Sequence, residues 1–156
     1  MTGLRTLLLD LDGTLIADQG GAGRDSQGVR LLAGVIEGLR LFRDAGYRFF
    51  VVTNQGGIGL GAYSEQDFLA CVARAEELLL QEGLTIASVE YCPHAPDAGC
   101  PCRKPATGMW DALCKKYPDL TAETALMIGD KDRDVLLGKA IGCRTARVRS
   151  SVYPET

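Results

Sequence analysis

Residues 7–14 read LLLDLDGT, a short apolar run followed at once by two carboxylates and a glycine. A continuous apolar run of this length is typical of a strand that is covered on both faces of a sheet. Asp10 and Asp12 are two residues apart, so both carboxylates point the same way if the extended conformation continues. Gly13 allows a sharp turn, and the Thr14 side chain can bond back to hold it. The stretch therefore predicts a buried strand with paired acids at its carboxyl end.

The same apolar pattern recurs along the chain and alternates with helical spacing. Further strands are predicted at 48–53, 86–91, 125–128 and 144–148. Helices are predicted from Val35 to a stop at Gly46, from a Ser64–Asp67 capping box onward, and near 108–116 and 132–140. This alternation predicts a three-layer α/β/α fold with a doubly wound, Rossmann-like parallel sheet. Active residues of such a fold lie beyond the carboxyl ends of the strands.

Composition narrows the class of protein. The chain has 156 residues, 46% hydrophobic and 24% charged, as in one ordinary globular domain over residues 1–156. Its net charge of -3 gives no reason to expect a nucleic acid as partner, and no stretch has the pattern of a membrane span or a secretion signal. We therefore expect a cytoplasmic monomer. Six Cys and one His exclude metal centres and acid–base schemes that need two or more imidazoles.

Two further polar segments suit the binding of a phosphate. Thr53 and Asn54 end a predicted strand shortly before two glycines, so a hydroxyl, an amide and backbone N–H groups can surround a phosphate. Arg103 and Lys104 form a cationic pair whose charge can offset that of a transferring phosphoryl group. Each segment alone is also compatible with an ordinary Gly-rich turn or a solvated surface pair.

The last polar segment adds carboxylates. Asp130 follows the predicted strand at 125–128 and would meet Asp10 at one edge of a parallel sheet, where their oxygens can bind Mg²⁺. Of Asp10 and Asp12, one carboxylate can attack a phosphorus atom and the other can exchange a proton with the leaving oxygen. Asp132 and Asp134 follow in the first turn of a predicted helix. An alternative role for these two acids is a favourable interaction with the helix dipole alone. The four segments together favour a phosphoryl-transfer site.

These segments resemble the motifs of the haloacid dehalogenase-like (HAD) superfamily, most of whose members are Mg²⁺-dependent phosphatases. The matching residues are Asp10-Leu11-Asp12-Gly13-Thr14, Thr53, Lys104 and Gly129-Asp130 with Asp134, and the resemblance covers residues 5–148. It implies that Asp10 is the nucleophile, which forms an aspartyl-phosphate, and that Asp12 protonates the leaving alkoxide and then activates water. It also implies that Thr53 and Lys104 hold the phosphoryl oxygens. Mg²⁺ would lie between Asp10, the backbone carbonyl of Asp12 and Asp130, with Asp134 in support.

One loop combines Cys residues with the only His. Cys92-Pro93-His94 is followed by Cys100-Pro101-Cys102, and three thiolates with one imidazole form a closed tetrahedral set typical of a structural Zn²⁺ site. Free thiols or a disulfide in an ordinary loop are the alternative. Because Cys102 directly precedes Arg103 and Lys104, zinc in this loop at 92–102 would fix the backbone that presents the predicted phosphate-binding lysine.

Segments 34–55, 92–94 and 100–105 are similar to the zinc-loop HAD phosphatases without a separate cap domain. That group includes D-glycero-D-manno-heptose 1,7-bisphosphate phosphatases and histidinol-phosphate phosphatase domains. The resemblance implies a small phosphorylated metabolite as substrate, with a sugar phosphate favoured over histidinol phosphate. Leu11 stands where both groups usually carry Arg, and Leu60 stands where the heptose enzymes usually carry Arg. Without these cations, the resemblance does not predict a subsite for a second phosphate. A polynucleotide 3′-phosphatase and a zinc-stabilised binding module are the remaining alternatives, and the Gly-rich stretch 19–28 is predicted to be a mobile loop.

Overall fold

The computed structural model of the protein describes residues 4–20 and 23–149. Its strands are β1 (Arg5–Leu9), β2 (Tyr47–Asn54), β3 (Ile86–Cys92), β4 (Ala125–Gly129) and β5 (Arg144–Arg147). Its helices are α1 (Val35–Asp44), α2 (Gly56–Gly59), α3 (Glu65–Leu80), α4 (Gly108–Lys116) and α5 (Asp132–Ile141). The five strands form one parallel sheet in the order β3-β2-β1-β4-β5, which confirms the predicted α/β fold. Along the described ranges, no helix is long and apolar enough to cross a membrane.

Helices cover both faces of the sheet. Alternate residues of β1 point to opposite faces, so Leu7 and Leu9 join a core with α1 and α3, whereas Leu8 joins a core with α4 and α5. All three side chains are buried, and each contributes ~1.5–3 kcal/mol by leaving water. Burial on both faces explains why the sequence of β1 is a continuous apolar run instead of an alternating one.

Two helix boundaries lie where the sequence predicts them. Gly46 follows the end of α1 with φ +90°, a backbone conformation that L side chains rarely adopt. At the start of α3, the Ser64 hydroxyl accepts a hydrogen bond from the Asp67 N–H at 3.0 Å, and the Asp67 carboxylate accepts one from the Ser64 N–H at 3.2 Å. The sequence did not predict α2 or the 3₁₀ turns Ser26–Gly28 and Ala122–Thr124, because each is too short to show a periodic pattern.

The Gly-rich loop at 19–28 is described except for residues 21 and 22. Gln19 spans it, because its Nε2 donates to the Asp25 carbonyl at 2.7 Å and its Oε1 accepts from the Asp25 N–H at 3.3 Å. The Asp25 carboxylate then accepts from the Gln27 N–H at 3.0 Å and caps the 3₁₀ turn. These bonds hold the two described ends of the loop together.

Strand register brings the polar strand ends to one edge of the sheet. Leu9 of β1 pairs with Val51 of β2 and with Ile128 of β4, so the residues that follow these strands emerge side by side. The pairing of β2 with β3 extends to Asn54 and Cys92. The segments predicted to bind Mg²⁺, phosphate and zinc therefore all lie at the carboxyl edge of the sheet.

Candidate active site

Three carboxylates and one ammonium group form a buried cluster at this edge. Asp10 follows β1, Asp130 follows β4, Asp134 lies in α5 and Lys104 lies in the loop before α4, and none of them is more than 4% exposed. The Lys104 Nζ donates to Asp10 Oδ1 at 3.0 Å, to Asp134 Oδ1 at 2.6 Å and to the Val52 carbonyl at 2.7 Å. The ammonium hydrogens are thereby all used, as a buried cation requires.

The carboxylate cluster has more negative than positive charge. Oxygen atoms of Asp10, Asp130 and Asp134 lie within 4.8 Å of one another. Burial, followed by the charge of Asp10, raises the pKa of Asp130 to about 6, and the same two causes raise the pKa of Asp134. Three acids at this spacing therefore fit a divalent cation that prefers oxygen ligands, such as Mg²⁺. Both oxygens of Asp134 already accept hydrogen bonds, Oδ1 from Lys104 Nζ and Oδ2 from the Lys131 N–H, whereas Lys104 bonds only Oδ1 of Asp10. Asp10 and Asp130 are therefore the carboxylates best placed for the ion.

Asp12 belongs to a separate hydrogen-bond network. Both of its carboxylate oxygens accept hydrogen bonds from Arg24, and Oδ2 also accepts one from Gln55 Nε2 at 3.0 Å. Gln55 Oε1 accepts from Arg24 Nη2 at 2.7 Å and from the Tyr63 hydroxyl at 2.6 Å. Burial opposes the charge on Arg24, but its hydrogen bonds and charge contact with Asp12 raise the pKa of Arg24 above its ordinary value. The Asp12 side chain is 18% exposed, so it remains open to a ligand.

The predicted phosphate-binding residues occupy different positions around Asp10. Thr53 is buried, and its hydroxyl oxygen accepts from Gln55 Nε2 at 2.9 Å, which leaves the hydroxyl hydrogen for a phosphoryl oxygen. Both ends of the Asn54 amide bond the backbone of Lys104: Nδ2 donates to the carbonyl at 3.2 Å, and Oδ1 accepts from the N–H at 2.9 Å. Asn54 thus fixes the lysine in this structure, and its direct contact with phosphate stays a prediction.

Asp12, Asn54 and Gln55 line a cavity of about 280 Å³. Arg103 lines the cavity, with its Nη1 beside Gly56. The other charged residues of the lining are Asp12, Asp18, Arg24, Lys131 and Arg133. A concave, polar and mostly cationic cavity of this size suits a small anionic ligand.

From the sequence, no individual role was predicted for the side chains of Arg24, Gln55 or Tyr63. Gln55 directly follows Thr53 and Asn54, so the polar strand end contained a signal for it. Arg24 is a single cation in a Gly-rich loop, with no motif or periodic pattern around it. Only the folded loop brings its side chain to Asp12.

A cluster of Cys and His side chains lies at the end of β3. Its ligand atoms are Nδ1 of His94 and the sulfurs of Cys92, Cys100 and Cys102. The sulfur–sulfur distances run from 3.0 to 3.6 Å, all shorter than the edges of ~3.8 Å expected for a tetrahedron with Zn–S bonds of ~2.3 Å. Burial and the neighbouring thiols raise the pKa of Cys102 to about 12. The cluster therefore favours a cation that stabilises thiolates, and its donor set fits Zn²⁺.

Comparison with known proteins identifies the family. The D-glycero-beta-D-manno-heptose-1,7-bisphosphate 7-phosphatase of Pasteurella multocida is 33% identical over 158 residues, which cover 97% of this chain and 82% of that protein. This chain belongs to the HAD-like phosphatases. A family model described as HAD-hydrolase-like also matches residues 101–156 of this HAD-like phosphatase.

Two further matches concern the fold and a longer relative. The crystal structure of D,D-heptose 1,7-bisphosphate phosphatase from B. bronchiseptica, complexed with magnesium and phosphate, superposes with a TM-score of 0.83. It is 27% identical, and the alignment covers 91% of this chain and 79% of that one. The histidine biosynthesis bifunctional protein HisB of Legionella pneumophila is 35% identical over 131 residues, 83% of this chain. This HAD-like phosphatase spans only 37% of the length of that protein.

Proposed function

We propose that this HAD-like phosphatase hydrolyses phosphomonoesters of small metabolites with the help of Mg²⁺, through an aspartyl-phosphate on Asp10. The observation that carries the proposal is the position of Asp10. Its buried carboxylate is paired with Lys104 at 3.0 Å, and the adjacent Asp12 lines the polar cavity. The candidate nucleophile thus lies two residues from a candidate proton donor that faces a phosphate-sized space.

The residues around Asp10 divide the reaction between them. Asp10 attacks the phosphorus atom, while Lys104 orients its carboxylate and places a positive charge beside the phosphoryl oxygens. The free hydrogen of the Thr53 hydroxyl donates to one of these oxygens. Asp12 gives a proton to the leaving alkoxide, and it later takes a proton from the water that attacks the aspartyl-phosphate. The only His of the chain, His94, lies in the Cys cluster, so carboxylates supply the nucleophile, the acid and the base.

Asp10, Asp130 and the backbone carbonyl of Asp12 would hold the Mg²⁺ ion. When bound, Mg²⁺ supplies positive charge that lowers the repulsion between the Asp10 carboxylate and the phosphate. Asp134 supports this site indirectly, because it accepts from Lys104 Nζ at 2.6 Å and from the Lys131 N–H at 3.1 Å. It thereby connects the start of α5 to the lysine that contacts Asp10.

Zn²⁺ is proposed as a structural ion on Cys92, His94, Cys100 and Cys102. This set leaves no open coordination position for a substrate. Cys102 is followed directly by Arg103 and Lys104, and Asn54 holds the Lys104 backbone from the opposite side. Zinc would therefore stabilise the loop that carries two cations of the active site.

The proposed substrate is a sugar phosphate such as D-glycero-D-manno-heptose 1,7-bisphosphate. The support is the 33% identity to the heptose bisphosphate phosphatase of Pasteurella multocida over nearly the whole chain, together with the cationic cavity. Histidinol phosphate is the second candidate, because HisB is 35% identical over 83% of this chain. We further propose a single monomeric domain in the cytoplasm, with no nucleic-acid partner.

The test is a phosphate-release assay with Mg²⁺ and three substrates: heptose bisphosphate, histidinol phosphate and a 3′-phosphorylated oligonucleotide. We expect the highest kcat/KM for the heptose bisphosphate. Asp10→Asn should lower kcat by at least ~10³-fold, because it removes the nucleophile. Glu123→Gln is the control, since Glu123 is an exposed acid in the 3₁₀ turn directly before β4, at the amino end of the sheet. A folded Asp10→Asn protein with full activity would disprove the mechanism.

A further inference from the structure

Arg24 is a nearly buried cation that the proposed reaction does not yet use. Its side chain is 6% exposed, although it lies in a Gly-rich loop. Nη1 donates to Asp12 Oδ1 at 2.7 Å, and Nη2 donates both to Asp12 Oδ2 and to Gln55 Oε1. A guanidinium that contacts both oxygens of one carboxylate fixes the plane of that carboxylate as well as its position.

Two aromatic rings flank the guanidinium. The Arg24 Cζ lies 5.4 Å from the centre of the Tyr63 ring and 5.7 Å from that of Phe68. Gln55 links this group to the phosphate-binding side, because its Nε2 donates to Asp12 Oδ2 at 3.0 Å and to Thr53 Oγ at 2.9 Å. Arg24 is thus held between two rings while it contacts Asp12, which Lys104 Nζ does not hydrogen-bond.

We propose that Arg24 is a positioning residue, which holds the Asp12 carboxylate in the orientation needed to exchange a proton with the substrate. The inference rests on the proposed function of Asp12 as acid and base. It goes further by assigning one oxygen. Oδ2 accepts from both Arg24 and Gln55, whereas Oδ1 accepts only from Arg24 and keeps a free lone pair. Oδ1 is therefore the oxygen that carries the proton.

The proton balance follows from this assignment. As the bond from Asp10 to phosphorus forms and the ester P–O bond breaks, the proton on Asp12 Oδ1 moves to the leaving oxygen. When water attacks the aspartyl-phosphate, the same oxygen takes a proton from that water and the Asp10–phosphorus bond breaks. Arg24 and Gln55 keep Oδ2 turned away in both steps.

Leaving groups that differ in their need for a proton test the proposal. An alkyl phosphate such as glycerol phosphate needs a proton donor, whereas nitrophenyl phosphate releases a stable anion without one. The value of kcat/KM is suited to this comparison, because it reports the steps up to departure of the leaving group. We expect Arg24→Ala to lower kcat/KM by ~100-fold for the alkyl phosphate and by less than ~5-fold for the nitrophenyl phosphate.

Two further variants isolate the cause. Arg24→Lys keeps the charge but not the two-pronged contact, so it should recover only part of the loss for the alkyl phosphate. Arg30→Ala removes an exposed Arg from the segment that follows the same loop and should change neither substrate. Equal losses for the two substrates in Arg24→Ala would show a merely structural role. A higher KM with unchanged kcat for both would show that Arg24 binds the substrate; either result overturns the proposal.

A structural readout separates this inference from the proposed function. A crystal structure of Arg24→Ala should show the Asp12 side chain in a different rotamer. If Asp12 keeps its orientation there, Arg24 does not position it, whatever the activity of the protein. Loss of the proposed function itself would appear instead as a wild-type protein that hydrolyses neither ester, or as an Asp10→Asn protein that hydrolyses both.

Discussion

Replacement of Lys104 by Met should lower the free energy of unfolding far more than a substitution in a loop usually does. The Lys104 side chain is fully buried and contacts Asp10, Asp134 and the Val52 carbonyl. Met is similar in volume but has no charge, so the variant leaves two buried carboxylates without their cation. Burial of an unpaired carboxylate costs free energy, so the folded state loses stability.

The magnitude follows from that geometry. Removal of one partner of a buried ion pair typically costs ~3–5 kcal/mol, and Lys104 serves two carboxylates at 3.0 and 2.6 Å. We therefore expect the free energy of unfolding to fall by ~4 kcal/mol near pH 8 without Mg²⁺. For a chain of this length that corresponds to a Tm lower by roughly 10–15 °C. The deficit should shrink as the pH falls, because protonated carboxyl groups no longer need the cation.

Urea unfolding at pH 8 and pH 5 measures both effects. Lys116→Met is the matched control, because Lys116 pairs with Glu90 at the surface and its side chain is 57% exposed. Its loss should stay below ~1 kcal/mol at both pH values. A loss of the same size in the two variants, or a Lys104→Met deficit that does not depend on pH, would refute the reasoning.

Three other perturbations test the candidate metal-binding carboxylates and the Cys cluster. Burial raises the folded-state pKa of Asp130 to about 6, above its ordinary value of 3.8. In Mg²⁺-free buffer, the stability of the wild type relative to Asp130→Asn should therefore rise as the pH falls from about 6 towards 3.8. A difference that does not change with pH would contradict burial as the cause of the shift. Gly13→Ala should lower the free energy of unfolding in urea more than Gly61→Ala does. Both positions have a positive φ, but only a Cβ at Gly13 would lie 2.3 Å from Asp130 Oδ2. Equal losses of ~1–2 kcal/mol would mean that only the backbone conformation matters. Protein purified without added metal should contain about one equivalent of zinc by elemental analysis, and Cys102→Ser should lose it while Cys114→Ser keeps it; zinc-free protein of unchanged Tm would rule out the structural ion.

The fold could be predicted from the sequence because its signals are local. The apolar run of β1, the capping box at Ser64 and the glycine after α1 each act within a few residues, and short-range periodicity and capping are enough to reveal them. The candidate metal ligands could also be predicted from the sequence. They follow strands of a parallel sheet, whose carboxyl ends must meet at one edge.

The hydrogen bonds that orient the side chains of the candidate site could not be predicted from the sequence. The hydrogen bonds of the Asn54 amide to the backbone of Lys104, 50 residues away, had no signal in the sequence. Arg24 reaches Asp12 only because the loop between them folds back, and no pattern of residues encodes that path.

Local patterns in the sequence were therefore enough to predict the strands and the candidate active-site residues that follow them. Only the tertiary structure decided how Asp12 is oriented and how Lys104 is held. The physical reason is that periodicity describes the burial of regular elements, whereas a hydrogen bond between distant side chains depends on where each loop is packed. In the unfolded chain, water solvates a charged side chain such as Arg24, so the sequence does not show which residue it will pair with after folding.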